Sequence, residues 1–134
     1  MIWIASLVLL SSCAYPFNRK NLKRVKRDIS FAEVVKNPDA YVGQIILVGG
    51  EVIRTTCYKE RTEIEVLEKR LGRDRRPKIS DESGGRFFLI HEGFLDPAIY
   101  SPGREISAIG EVAGKREALL GERTCLYPEL RSIE

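Results

Sequence analysis

The sequence predicts a mainly β fold: one short N-terminal helix followed by five short, bent antiparallel strands that close into a small barrel. Three observations carry this prediction. From Gln44 onward the apolar residues recur with a period of two, which is the mark of half-buried strands. Glycines fall inside several of those runs, where they mark bulges or tight corners. The chain has 134 residues, 43% of them apolar, which is enough for one small core. Two domains, an extended coiled coil or a multi-pass membrane protein are excluded.

The elements follow in order. Ser30-Phe31-Ala32-Glu33 is a capping box: the Ser30 hydroxyl can accept the Glu33 amide, and the Glu33 carboxylate can reach back. Phe31, Val34 and Val35 form one apolar stripe, and Asn37-Pro38 ends the helix because a residue before proline avoids the helical region. Tyr41-Val42-Gly43 turns the chain into the sheet. The first strand runs from Gln44 to Tyr58, with a bulge or bend expected at Gly49-Gly50. The second, Arg61 to Leu71, alternates Thr62, Ile64 and Val66 against Glu63, Glu65 and Leu67. Gly72 to Lys78 is a basic loop containing a proline. Arg86 to His91 is the third and central strand, Glu105 to Val112 the fourth, and Arg123 to Ile133 the fifth, with Pro128 assigning its middle to an edge or bulge. Five such strands and a small helix make an OB-like barrel.

The charge is unevenly spread. Residues 1–12, MIWIASLVLLSS, carry no charged side chain, and six basic residues crowd between Arg19 and Arg27. The rest of the chain holds sixteen basic against nineteen acidic residues, so the positive sign of the whole comes from one short arm. A basic arm beside an apolar run reads as a tether, not as a nucleic-acid-binding face.

The run Ile2 to Leu10 is too short to span a bilayer as a helix, which needs about 20 apolar residues, and matches the apolar region of a signal peptide. Leu10-Ser11-Ser12-Cys13 resembles the lipobox of bacterial lipoproteins: an aliphatic residue, two small residues, then cysteine. The resemblance implies cleavage between Ser12 and Cys13 and a thioether-linked diacylglycerol on Cys13, with acylation of the freed amine, palmitate being typical. No basic residue precedes the apolar run, so a true start codon upstream is expected. Ala14, where an aspartate would favour the inner membrane, implies the outer membrane. Arg19, Lys20, Lys23, Arg24, Lys26 and Arg27 then form a membrane-surface tether able to lie on anionic headgroups. The expected organisation is a signal peptide over 1–12, lipidated cysteine and basic tether over 13–28, and a β-barrel domain over 29–134.

Two further stretches carry a wider resemblance. One is Pro38-Asp39-Ala40-Tyr41-Val42-Gly43 followed by a strand with Gly49-Gly50 and Val52. The other is Gly93-Phe94-Leu95-Asp96-Pro97, then Tyr100, then Ile106 through Gly110 and Gly114. With the lipobox, these resemble the Slp family of outer membrane lipoproteins, starvation-inducible in the founding case, over essentially the whole chain from Cys13. The resemblance implies a lipid-anchored, β-rich envelope protein with no established enzymatic activity and no catalytic residues to carry over. The basic arm is denser than the family pattern, and the chain lacks an aromatic finish, so a shortened last strand is expected.

The remaining candidates for chemistry are few. With Cys13 lipidated, Cys57 and Cys125 make an even pair in an oxidising compartment, which favours a disulfide if their strands are neighbours. His91 stands alone beside Glu92, with no nucleophile or orienting acid in sequence reach, and reads as a core or rim histidine. Glu60, Glu63, Glu65 and Glu68 interleave with Lys59, Arg61, Lys69 and Arg70, and read as a salt-laced solvent face. Asp96-Pro97 reads as a turn. Arg70, Arg73, Arg75, Arg76 and Lys78 form a second basic cluster, read as a solvated loop, with an anionic glycan or lipid partner as the alternative. No metal ligand set and no cofactor beyond the covalent lipid is expected. The expected function is a non-enzymatic binding or structural module of the envelope, with an envelope protein, glycan or lipid as partner and the domain facing the periplasm. The alternative is a soluble OB-like nucleic-acid-binding domain.

Overall fold

The computed structural model describes residues 17–134. A single helical turn, α1 (Arg19–Leu22), is followed by α2 (Phe31–Lys36) and a 3-10 turn (Pro38–Tyr41). Five strands complete the chain: β1 (Ile45–Cys57), β2 (Arg61–Glu68), β3 (Arg86–Glu92), β4 (Glu105–Leu120) and β5 (Arg123–Ser132). They close into a ring in the order β1-β2-β3-β5-β4, antiparallel except for the β3–β5 contact, as in OB-like barrels.

The capping box forms as expected: the Ser30 hydroxyl accepts the Glu33 amide at 3.3 Å. The helix it starts plugs one end of the barrel, with Val34 fully buried and Phe31 packed edge-on against Phe87 at 5.5 Å. The inward positions of the strands, among them Val48, Val52, Ile64, Val66, Phe87, Leu89, Val112 and Leu130, form one core.

Closure depends on β1 serving two partners. Residues 45–51 pair with β4, and residues 50–57 pair with β2. Gly50 lies in both ladders, opposite Glu68 and Ile106, and a Cβ there would stand 1.9 Å from the Leu67 carbonyl oxygen. The glycine pair is therefore required by close backbone approach, while the bulge itself falls one turn of the pleat later, between Val52 and Arg54.

Three elements differ from the sequence expectation. β2 ends at Glu68, because the chain beyond it turns to a separate bridge between Leu71 and Pro77. β4 does not stop at Val112: a second bulge between Val112 and Gly114, where Gly114 has φ +136°, lets the strand run on to Leu120 in a long hairpin with β5. β5 is not shortened, since that hairpin supplies it with ten residues of pairing. Pro128 is tolerated at the point where β5 still pairs only with β4, just before the β3 ladder begins at Glu129.

Candidate functional site

The outer face of β2 and β3 forms the floor of a groove. Glu63 and Glu65 project from β2 on this face, since side chains alternate along a strand, and Phe88 projects from β3 opposite Glu65. The extension of β4 beyond Gly114 brings Arg116 over this floor. Its guanidinium holds Glu63 through two contacts, Nη1 to Oε2 at 2.7 Å and Nη2 to Oε1 at 2.8 Å, and Nη2 also meets Glu129 Oε1 at 2.5 Å. The same guanidinium lies 4.7 Å over the Phe88 ring, which packs 6.0 Å from Tyr127. Arg61 Nε adds a contact to Glu63 Oε1 at 3.2 Å, and Arg86 pairs with Glu65 at 3.0 Å.

These contacts fix the charges. The Arg116 hydrogen bonds hold the Glu63 carboxyl below its ordinary range, against an opposing effect of burial and with help from Arg61. Glu63 in turn raises the Arg116 guanidinium further, again against burial, with Glu129 contributing. Burial pushes the Tyr127 phenol up, and the Cys125 thiol beside it acts in the same direction. The groove, about 520 Å³, runs between Tyr58 in the β1–β2 turn and Leu119, Leu120 and Gly121 at the β4–β5 tip. Those lips are apolar and open: Tyr58 is 48% and Leu119 75% exposed. This is the face, flanked by the same two loops, on which OB folds bind their ligands.

The expected site residues fall as follows. Ser12 and Cys13 lie outside the described residues. Of the arm, Arg19 and Lys20 are in α1, and the segment through Arg27 packs onto the barrel through the Lys26 amide, which donates to the Ile45 carbonyl at 2.8 Å. Cys57 and Cys125 are not bonded: both thiols are free. The expectation fails on topology, because β1 and β5 are not neighbours; Cys57 pairs with Thr62 and Cys125 with Ala118. The glutamates do not form one solvent face. Glu63 is buried under the β4 extension, and Glu68 is buried on the other side, where its carboxylate accepts the Gly84 amide at 2.7 Å. His91 is half-buried at the end of β3, opposite Thr62. Asp96 caps a turn, accepting the Ala98 amide at 2.9 Å. Among the described residues no group of three or more histidine, cysteine or acidic side chains is gathered to hold a metal. Arg116 and Phe88 are the site residues that sequence reasoning missed. The sequence carries no periodic signal for them, because Gly114 is followed by three charged residues in a row, Lys115-Arg116-Glu117.

The profile of the Outer membrane lipoprotein Slp family matches residues 10–133. "Uncharacterized lipoprotein YeaY" of Escherichia coli (strain K12) is 30% identical over 66% of this chain and 45% of its own length. "Outer membrane protein Slp" of the same organism is 28% identical over 91% of this chain and 64% of its own length. The chain thus spans about half to two thirds of these curated relatives. Among solved structures, a small single-stranded DNA-binding protein from Streptomyces coelicolor aligns over 67% of this chain and 89% of its own, with a TM-score of 0.42 and 12% identity.

Proposed function

Given that the chain belongs to the Slp family of outer membrane lipoproteins, we propose that a lipid on Cys13 holds it in that membrane and that it works there as a non-enzymatic binding module. It is an envelope lipoprotein, and the family match begins at residue 10, so the stretch Leu10-Ser11-Ser12-Cys13 lies inside it. The ligand, an envelope protein, glycan or lipid, enters the groove over Phe88 between Tyr58 and Leu119.

One observation carries the binding role. The Glu63 and Glu129 carboxylates are balanced by the Arg116 and Arg61 guanidiniums, and the two shifted groups, Glu63 and Arg116, titrate further from neutral pH than usual. Such groups hold a surface in shape; acid–base catalysis needs groups poised near the working pH. The groove is lined by three arginines, Arg54, Arg86 and Arg116, against three glutamates, Glu63, Glu65 and Glu117. That balance opposes a nucleic-acid backbone, which needs a continuous positive track.

Separation of inner and outer membranes by density tests the placement. The wild-type chain is expected with the outer membrane, and the Cys13→Ser variant is expected to leave it. A variant that stays in that fraction would contradict lipid anchoring.

A further inference from the structure

Two basic segments far apart in sequence meet on one face of the barrel. Lys26 and Arg27 from the arm and Arg73 and Arg75 from the loop after β2 line a single cavity of about 370 Å³, floored by Leu22 and Leu47. We propose that this face docks on the anionic headgroups of the membrane that holds the lipid on Cys13. The proposal rests on the anchoring described above and adds which surface meets the bilayer.

Both walls of the cavity are held in place. Asn18 caps α1 by accepting the Lys20 amide at 2.8 Å, and the Lys26 amide is tied to Ile45. The loop is a tight turn: the Gly72 amide donates to the Arg76 carbonyl at 2.8 Å, and Asp74 accepts the Arg76 amide at 3.0 Å. Within it Arg75 has φ +61°, a left-handed conformation that costs an ordinary residue free energy and persists only where the surroundings impose it. Both of its backbone polar groups are held there: the Arg75 amide donates to the Gly72 carbonyl at 3.0 Å, and its carbonyl accepts the Ser107 hydroxyl at 2.6 Å. Lys26, Arg27, Arg73 and Arg75 make no ion pair with a carboxylate among the described residues. Four cations are therefore presented together without a direct carboxylate partner, against two acidic neighbours in sequence, Asp28 and Asp74.

The route of the chain gives the direction of this face. The Asn18 amide donates to both oxygens of the Glu134 carboxylate, at 2.8 and 2.9 Å. The Glu134 amide donates to the Ile109 carbonyl, and Ile109 pairs with Leu47 on the cavity floor. Asn18, near the start of the described chain, thus lies beside the cationic cavity. Asn18 lies five positions after Cys13, and a fully extended chain of that length reaches only about 17 Å. The Asn18 side of the barrel is thereby kept within about two screening lengths of the headgroups, where basic residues are drawn to anionic lipid.

Hydrogen exchange on the protein purified from its native membrane tests this. The chain is placed in nanodiscs of phosphatidylcholine alone, or of phosphatidylcholine mixed with phosphatidylglycerol. Amides of the arm and of the 71–77 turn are expected to exchange about tenfold more slowly in the anionic discs, with the difference shrinking as salt is added. The Lys26→Gln/Arg73→Gln pair is expected to abolish the difference while β2 and β3 amides keep their protection. The Lys36→Gln/Lys59→Gln pair, with the same change in charge elsewhere, is expected to retain it. Equal exchange in the two lipids, or a loss produced as well by the control pair, overturns the proposal. A purified chain without acyl mass would mean that the anchor reading has failed. The same comparison with vesicles added to the protein in solution then still decides the surface.

Discussion

Arg116 and Glu63, fifty-three residues apart, form a two-point ion pair beneath the β4–β5 hairpin, and this pair joins the extension of β4 to the face of β2. Glu63 is only 8% exposed, so its charge relies chiefly on this partner, with Arg61 as the second. Replacing Arg116 by methionine is expected to destabilise the fold by about 2 kcal/mol, because it leaves a buried carboxylate with only the single contact from Arg61. The double variant Glu63→Gln/Arg116→Met is expected to recover much of that loss. Urea midpoints at unchanged slope check both. Additive losses would show that the pair is not coupled.

The same pair sets a pH dependence. The Glu63 carboxyl titrates below its ordinary value of 4.5 in the folded chain. It therefore contributes stability that is complete above that value and is lost as pH falls through the lower folded value. The melting temperature of the wild type is expected to fall more steeply below pH 4.5 than that of Glu63→Gln. Parallel curves would contradict it.

Cys57 and Cys125 are free, and Cys57 is exposed, with its thiol donating to the Leu95 carbonyl at 3.4 Å. Unreduced protein with an acylated Cys13 is expected to take up two maleimide labels, Cys57 reacting first. Reduction is expected to leave the melting temperature unchanged. A chain that accepts labels only after reduction would restore the disulfide.

Gly50 is the point at which β1 is gripped from both sides. Gly50→Ala sets a methyl group against the Leu67 carbonyl and is expected to cost about 3 kcal/mol or more, since the obstructing atoms are β2 backbone and the β4 ladder holds Gly50 from the other side. Soluble yield and circular dichroism report it, and a variant of wild-type stability would show that the ladders can part at this point.

These cases show what the sequence made legible. The helix cap at Ser30 and the alternation of β2 act locally, so their chemistry can be read from neighbouring residues, whereas Gly49-Gly50 marked a special point whose cause, the close approach of β2 and β4 backbone, is not local. The five strands and the barrel followed from them. The length of β4 did not, because Gly114 reads as a stop until a bulge carries the pairing past it. The groove was illegible for the same reason: Glu63 meets Arg116 only once that extension exists. The cysteine pairing failed on strand order, which no local pattern specifies. The meeting of Arg73 with the arm likewise required the closed barrel.

Lipid anchoring at Cys13 is the central claim, and intact mass measures it most directly. Protein from the native membrane fraction is expected to begin at Cys13 and to carry the mass of its acyl chains. The Cys13→Ser variant is expected to lack both the cleavage and the added mass. An unprocessed, unacylated wild-type chain in the soluble fraction would contradict the account.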